Sequence, residues 1–193
     1  MTSRARELRT LIGSFALSFA IFAFAFGDWR FGLGFVVLIL IHEFGHFLEA
    51  RRQGVHATLP TFVPFIGAYV LIRSDGLAPW RNALISLAGP VAGGLGAAAV
   101  WAVGSHRGTP WLVELAYYGF LLNALNLLPI GILDGGGVLR GITQTWRRPA
   151  IRYENGVPME ASAPEQSRAV VIAVLYGLVA AGLVACAVAT RHS

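Results

Sequence analysis

The chain has 193 residues, of which 55% are hydrophobic and only 13% are charged, and its mean hydropathy is +0.62. Soluble domains carry about 25% charged residues, so this composition excludes an ordinary soluble protein and favours an integral membrane protein. The formal charge is +5, but the 15 basic residues, all arginines, are dispersed along the chain. Without a basic patch, nucleic acid is not an expected partner. The single cysteine, Cys186, allows no internal disulfide.

Five apolar stretches are long enough to be membrane spans, and they cover residues 10–26, 31–50, 81–103, 110–128 and 168–189. We predict an all-α polytopic membrane protein with about five transmembrane helices, forming a single transmembrane domain over residues 1–193. The polar residues 146–167 are expected to form a cytoplasmic loop. The first stretch also has features of a signal peptide, but its long apolar core and the bulky Phe24 favour an uncleaved span.

The arginines are distributed unevenly between the connections. Twelve of them lie at the N-terminus and in the connections after the second and fourth stretches. Basic residues concentrate on the cytoplasmic side of a membrane, so we predict a cytoplasmic N-terminus and a C-terminus outside. The absence of lysine beside abundant Arg, Ala and Gly is typical of a GC-rich prokaryote, which favours the prokaryotic cytoplasmic membrane as the location.

The connection between the second and third spans is itself apolar. Residues 55–72 are rich in aromatic and β-branched side chains and are interrupted by Pro60, Pro64 and Gly67. This pattern favours short strands or a re-entrant hairpin over a helix. Backbone at membrane depth must lie against protein or water, so we expect this β element to pack on the bundle near its cytoplasmic side.

The second span contains the sequence HEFGH at residues 42–46. On a helix, His42 and His46 lie one turn apart on one face, so both imidazoles can bind one metal ion, with Glu43 beside them as a base. Buried ionisable groups are costly in a span unless they bind something. The extended zincin pattern would add a third ligand at the place of Arg52 and fails here. Glu49 is expected to pair with arginine or water.

Asp134 is the best candidate for the third ligand, because a carboxylate in so apolar a setting needs a cation. His46 lies five residues before Arg51, and Asp134 lies six before Arg140. Both are therefore within about 10 Å of arginines that the charge pattern assigns to the same side. The alternative is that Asp134 caps a helix that begins after Leu133.

The two motifs together, His42-Glu43-x-x-His46 and Asn126-x-x-Pro129-x-x-x-Leu133-Asp134-Gly135, resemble the site-2 protease family of intramembrane zinc metalloproteases, peptidase family M50. The segment Ser-Leu-Ala-Gly-Pro at 86–90 also looks like the family's third core span, and the resemblance covers about residues 31–142. It implies one Zn²⁺ per chain bound by His42, His46 and Asp134, with Glu43 as general base. The chain resembles a minimal form without a PDZ or CBS domain.

The resemblance also implies a substrate, a transmembrane protein or peptide that is cut in or near a membrane-spanning segment. Asn126 is a hypothesis for a group that holds the substrate or the oxyanion, and capping of the broken helix is the alternative. Asn123 is expected to make an interhelical hydrogen bond. An extended substrate can pair with an edge strand, and the residues predicted to form that edge are Phe65, Ile66, Gly67, Ala68, Tyr69, Val70 and Leu71.

Two other functions use the same residues. A metal transporter or metal-binding membrane protein needs the histidines and Asp134 but has no need of Glu43 directly after the first histidine. An inactive scaffold that binds transmembrane partners would be expected to lose the base or a ligand, and this chain keeps all four. The lipid bilayer is the one further partner that the sequence predicts. The sequence carries no signal of oligomeric state.

Overall fold

The computed structural model describes residues 3–63, 67–73, 76–147, 152–154, 157–159 and 163–191. Within them the chain forms six helices and four short strands. In chain order these are α1 (Ser3–Phe26), α2 (Trp29–Arg52), β1 (Thr61–Val63), β2 (Gly67–Tyr69), α3 (Pro79–Arg107), α4 (Pro110–Asn126), α5 (Asp134–Arg147), β3 (Arg152–Glu154), β4 (Val157–Met159) and α6 (Ala163–Arg191).

Among the described helices, α1, α2, α3 and α6 are long and apolar enough to cross a membrane. Helix length and composition are therefore those of an integral membrane protein, as predicted. The predicted fourth span corresponds to α4, which has 17 residues and so a length of about 25 Å. The structure supports four candidate spans, and the count of five stays a prediction.

A helix after Leu133 was only the alternative prediction for Asp134, and no strands were predicted within residues 146–167. Helix α5 follows the break after α4, although a run of glycines at its start gives it a weak helix signal. Strands β3 and β4 pair antiparallel, with Arg152 opposite Met159, inside the predicted loop at 146–167. Helix α6 begins at Ala163, five residues before the predicted span. The rest of that loop lies outside the described residues.

Helix α3 lies against α2, α4, α5 and α6 and so forms the centre of the bundle. Small residues allow this close approach. A Cβ atom at Gly93 of α3 would overlap the Asn123 amide of α4, and one at Gly45 of α2 would overlap the Ala88 carbonyl of α3. The small residues of α3 thus allow the contacts that surround the buried polar residues.

Strands β1 and β2 form the short β element predicted between the second and third spans. They pair antiparallel, with Phe62 opposite Ala68. The Phe62 side chain is 3% exposed and packs with Val36 and Ile39 of α2. Gly67 has φ +129°, a conformation that side-chain-bearing residues rarely adopt. The hairpin is thereby attached to the helix that carries the two histidines.

We expect Gly104→Ala to lower the melting temperature of the purified protein in detergent by several degrees. The added Cβ would stand 2.8 Å from Leu112 Cβ and 3.0 Å from the Val113 backbone nitrogen, and such overpacking costs about 1–3 kcal/mol. Gly177→Ala is the matched control, because within the described part of the chain no atom beyond its own helix backbone and chain neighbours lies within 4 Å of its Cβ position. An equal loss of stability in both variants would contradict this packing.

Candidate metal centre

Three predicted ligands meet in the centre of the bundle. His42 and His46 project from one face of α2, with their Nε2 atoms 3.1 Å apart, and their exposed fractions are 4% and 8%. Asp134 is the first residue of α5. Its Oδ2 lies 3.1 Å from His42 Nε2, and its Oδ1 lies 3.2 Å from His46 Nε2. The structure thus brings Asp134 beside the two histidines, as the depth argument from the sequence expected.

The hydrogen bonds of the two imidazoles define which nitrogen is free. Asn123 Nδ2 donates to the Gly119 carbonyl at 2.7 Å, so Asn123 Oδ1 is an acceptor and His42 Nδ1 donates to it at 2.8 Å. His46 Nδ1 donates to the Ile85 carbonyl at 2.8 Å. In the neutral imidazole the other nitrogen then carries a lone pair. Both Nε2 lone pairs therefore point toward Asp134.

This set of donors fits a zinc ion. Zinc bound to histidine and carboxylate at about 2.0–2.1 Å has ligand atoms about 3.3 Å apart in a tetrahedron. The two Nε2 atoms are 3.1 Å apart, and they lie 3.1 and 3.2 Å from the two different oxygens of Asp134, distances close to that value. Asp134 Oδ2 is buried and has no hydrogen-bond partner within the described residues. Two lone pairs and a buried carboxylate at such separations need a cation between them.

The segment between α4 and α5 that positions Asp134 is held at both ends. Tyr176 Oη on α6 donates to the Leu127 carbonyl at 2.5 Å, and Arg140 Nη1 donates to the Gly131 carbonyl at 2.7 Å. Where a helix is interrupted, such carbonyl groups lose their partners within the helix, and in an apolar setting they need other donors. The two side chains supply them, and the ligand carboxylate begins the next helix.

The glycine run at the start of α5 allows that helix to lie against the same segment. A Cβ atom at Gly135 would overlap the Leu127 carbonyl, and one at Gly136 would overlap the Ile130 carbonyl. A third glycine contact forms on α3, where Gly89 faces the His46 ring so closely that a Cβ atom would collide with it. These glycines allow α3, α5 and the segment between α4 and α5 to pack closely around the candidate metal site.

Glu43 lies beside the ligands, as predicted, and is 7% exposed. Together with the three ligands it lines a cavity of about 320 Å³, a size that admits a short peptide segment. Glu49, nearly two turns further along α2, is not among the residues that line this cavity. Its carboxylate accepts hydrogen bonds from Arg52 at 2.8 and 3.0 Å, which agrees with the pairing expected from the sequence.

The other predicted site residues are divided between the cavity and its surroundings. Asn126 lines the cavity at the end of α4. Of the predicted edge strand, Phe65 and Ile66 lie outside the described residues, and Leu71 donates its N–H to Thr58 Oγ1 instead. The part of that strand that does line the cavity consists of Gly67, Ala68, Tyr69 and Val70.

The direction of the β2 peptide groups follows from a hydrogen bond that β1 makes with α1. The Phe62 N–H donates to Ser14 Oγ at 3.1 Å and so points away from β2. Opposed residues whose peptide groups point outward form a non-hydrogen-bonded pair. Ala68, opposite Phe62, must therefore also direct its N–H and C=O away from β1. The free edge of β2 is thus formed by a residue that lines the cavity.

Sequence reasoning did not identify the partners that orient the histidines. Asn123 makes the interhelical hydrogen bond expected for it, but the sequence did not indicate that its partner is His42, a candidate ligand. An amide in so apolar a helix was the available signal. The Ile85 carbonyl that holds His46 has no signature in the sequence, because any residue offers the same backbone oxygen.

We predict that Asn123→Ala lowers the affinity for zinc by about 10- to 100-fold, the usual effect of removing an outer partner of a ligand histidine. Asn126→Ala is the matched control, because it removes the same side chain one turn away, where it holds neither histidine. The measurement is competition with a chelator in detergent. Equal affinity in the Asn123 variant and the wild type would contradict the assigned role of the hydrogen bond.

Comparison with known proteins points to one family. The model of peptidase family M50 matches residues 30–111, which include His42, Glu43 and His46. A Mycobacterium tuberculosis protein named as zinc metalloprotease Rip3 is 30% identical over 170 residues, covering 81% of this chain and 42% of the relative. The chloroplast protein named as zinc metalloprotease EGY1 of Arabidopsis thaliana is 28% identical over 155 residues, covering 56% and 28%.

A third relative, zinc metalloprotease MJ0392 of Methanocaldococcus jannaschii, is 27% identical over 111 residues and is covered for 32% of its length. The chain thus spans less than half the length of these relatives. No solved structure matches it significantly. The family model and the named relatives agree with one another, and they support peptidase family M50 as the family of this chain.

Proposed function

We propose that the chain is an intramembrane zinc metalloprotease, which hydrolyses peptide bonds in or near transmembrane segments of membrane-protein substrates. The observation that carries this proposal is the convergence of His42, His46 and Asp134 beside Glu43, in a cavity among apolar helices. The relatives named as zinc metalloproteases support the same metal and the same class of reaction.

Each of the four side chains has a distinct role in this proposal. His42, His46 and Asp134 hold one zinc ion, which supplies Lewis-acid chemistry that activates water and polarises the scissile carbonyl. Glu43 takes the proton of the attacking water as the new C–O bond forms. It then delivers this proton to the amide nitrogen as the C–N bond breaks. The products are a carboxylate and an amine.

The substrate must be extended before it can be cut. In a transmembrane helix every peptide group is hydrogen-bonded within the helix, so the scissile bond has to be unwound first. We place the unwound segment along β2, where it adds a strand through the outward N–H and C=O of Ala68. Asn126, which also lines the cavity, is proposed to hold the substrate carbonyl that gains negative charge.

The same proposal includes the orientation in the membrane. With α4 as a fifth span, the arginine-rich connections share one side, which is the cytoplasmic side. The N-terminus then lies inside the cell and the C-terminus outside, and the metal centre lies toward the cytoplasm, one to two helical turns from Arg51 and Arg140. The arginine-rich, lysine-free composition supports a prokaryotic cytoplasmic membrane.

Glu43→Gln tests the assignment of the base. Purified variant and wild type are compared for zinc content and for cleavage of a helical membrane peptide in detergent. We expect zinc to be retained and cleavage to fall by at least about 100-fold, the contribution of a general base. Glu49→Gln is the matched control on the same helix and should cleave like the wild type.

Equal cleavage by wild type and Glu43→Gln would overturn the role of Glu43. A zinc-loaded wild type that cleaves no membrane peptide would favour the scaffold. Movement of zinc into proteoliposomes at equal rates in both proteins would favour a transporter.

Ala68→Pro tests the substrate strand. Its N–H points away from β1, so proline should leave the hairpin paired but remove a donor at the free edge. We expect KM to rise about three- to tenfold, the effect of one lost hydrogen bond, with zinc content unchanged. Ala68→Ser keeps the donor and should resemble the wild type. Cleavage at the wild-type rate in the proline variant would show that β2 does not bind the substrate.

A further inference from the structure

We propose that α1 fixes the β1–β2 hairpin over the catalytic cavity, and that Ser14 and Glu7 of α1 are positioning residues for substrate binding. This inference rests on the proposed role of β2 as the strand that pairs with the substrate. It assigns a function to two polar side chains of α1 that take no part in the metal centre.

The contacts between α1 and the hairpin are directed at backbone groups. Ser14 Oγ accepts a hydrogen bond from the Phe62 N–H at 3.1 Å, and Glu7 Oε2 accepts one from the Leu59 N–H at 3.3 Å. Ser14 and Glu7 are seven residues apart and so lie on one face of the helix. The Ser14 hydroxyl itself donates to the Leu11 carbonyl at 3.2 Å, which leaves its oxygen free to accept.

Aromatic packing reinforces these two hydrogen bonds. The rings of Phe15 and Phe62 meet edge to face with their centroids 5.5 Å apart. In the part of α1 whose burial is described, only Ser18 is fully buried. The helix is thus attached along one side, and its contacts with α2 and the hairpin account for that side. Polar side chains in such a helix are costly unless they have a partner.

The hydrogen bonds decide which edge of the hairpin remains open. A two-stranded sheet has two edges that can each pair with another strand. The side chains of α1 occupy the edge formed by β1, and Ala68 presents the free edge of β2 to the cavity. An extended substrate is therefore directed to the edge beside Glu43, and the position of that edge depends on α1.

The test is Ser14→Ala in the full-length protein, with two measurements. Hydrogen exchange of the Phe62 amide should become at least about threefold faster, because it loses its acceptor. With a helical membrane peptide, KM should rise about three- to tenfold, while kcat and zinc content stay as in the wild type. Ser14→Thr keeps the hydroxyl oxygen and should restore both the exchange rate and KM.

Ser18→Ala is the matched control, because Ser18 lies one turn further along α1 and its hydroxyl has no hydrogen-bond partner within the described residues. Wild-type exchange of Phe62 in Ser14→Ala would overturn the contact, whether or not the protein cleaves peptides. Faster exchange with unchanged KM would overturn the role in substrate binding while leaving the proposed protease intact. A general loss of zinc and of kcat would show a structural role instead.

Discussion

The structure depends on the orientation of two imidazole rings. His42 and His46 each donate from Nδ1 to an oxygen of a neighbouring helix, on Asn123 and Ile85. These bonds direct both Nε2 lone pairs to one point, where the carboxylate of Asp134 arrives from α5. In a bundle of apolar helices such polar groups are tolerated only when each has a partner. The metal site and the packing of the helices are therefore one arrangement.

That arrangement requires α3 to approach its neighbours more closely than most helices do. On α3, a Cβ atom at Gly89 would collide with the His46 ring, and one at Gly93 would collide with the Asn123 amide. On α5, Gly135 lies equally close to the Leu127 carbonyl. After α4 ends, the chain leads to Asp134, the candidate third ligand, which begins α5. Tyr176 of α6 donates to the Leu127 carbonyl, which the end of α4 leaves without a partner in the helix. A peripheral helix thus contributes to the geometry of the candidate metal centre, as α1 is proposed to do for the hairpin.

Much of this could be predicted because the patterns are local. The span limits follow from apolar length, and His42 and His46 follow from helical spacing. Asp134 could be found because a carboxylate is so costly in an apolar segment. Helix α5 was expected only as the alternative in which Asp134 caps a helix, since glycines are poor helix formers and their benefit here is close packing across the chain. The Ile85 carbonyl and the contact of Ser14 with β1 were inaccessible, because the backbone partners are set only by the tertiary fold.

The proposed metal centre uses three side chains from two helices to bind one zinc ion. X-ray absorption at the zinc edge, on purified protein in detergent, can identify these ligands. We expect one zinc per chain with two imidazole nitrogens and carboxylate or water oxygens at about 2.0–2.2 Å, and we expect His46→Ala to remove one imidazole nitrogen from the zinc. Coordination by sulfur or by a single imidazole in the wild type would contradict this ligand set, as would a spectrum that His46→Ala leaves unchanged.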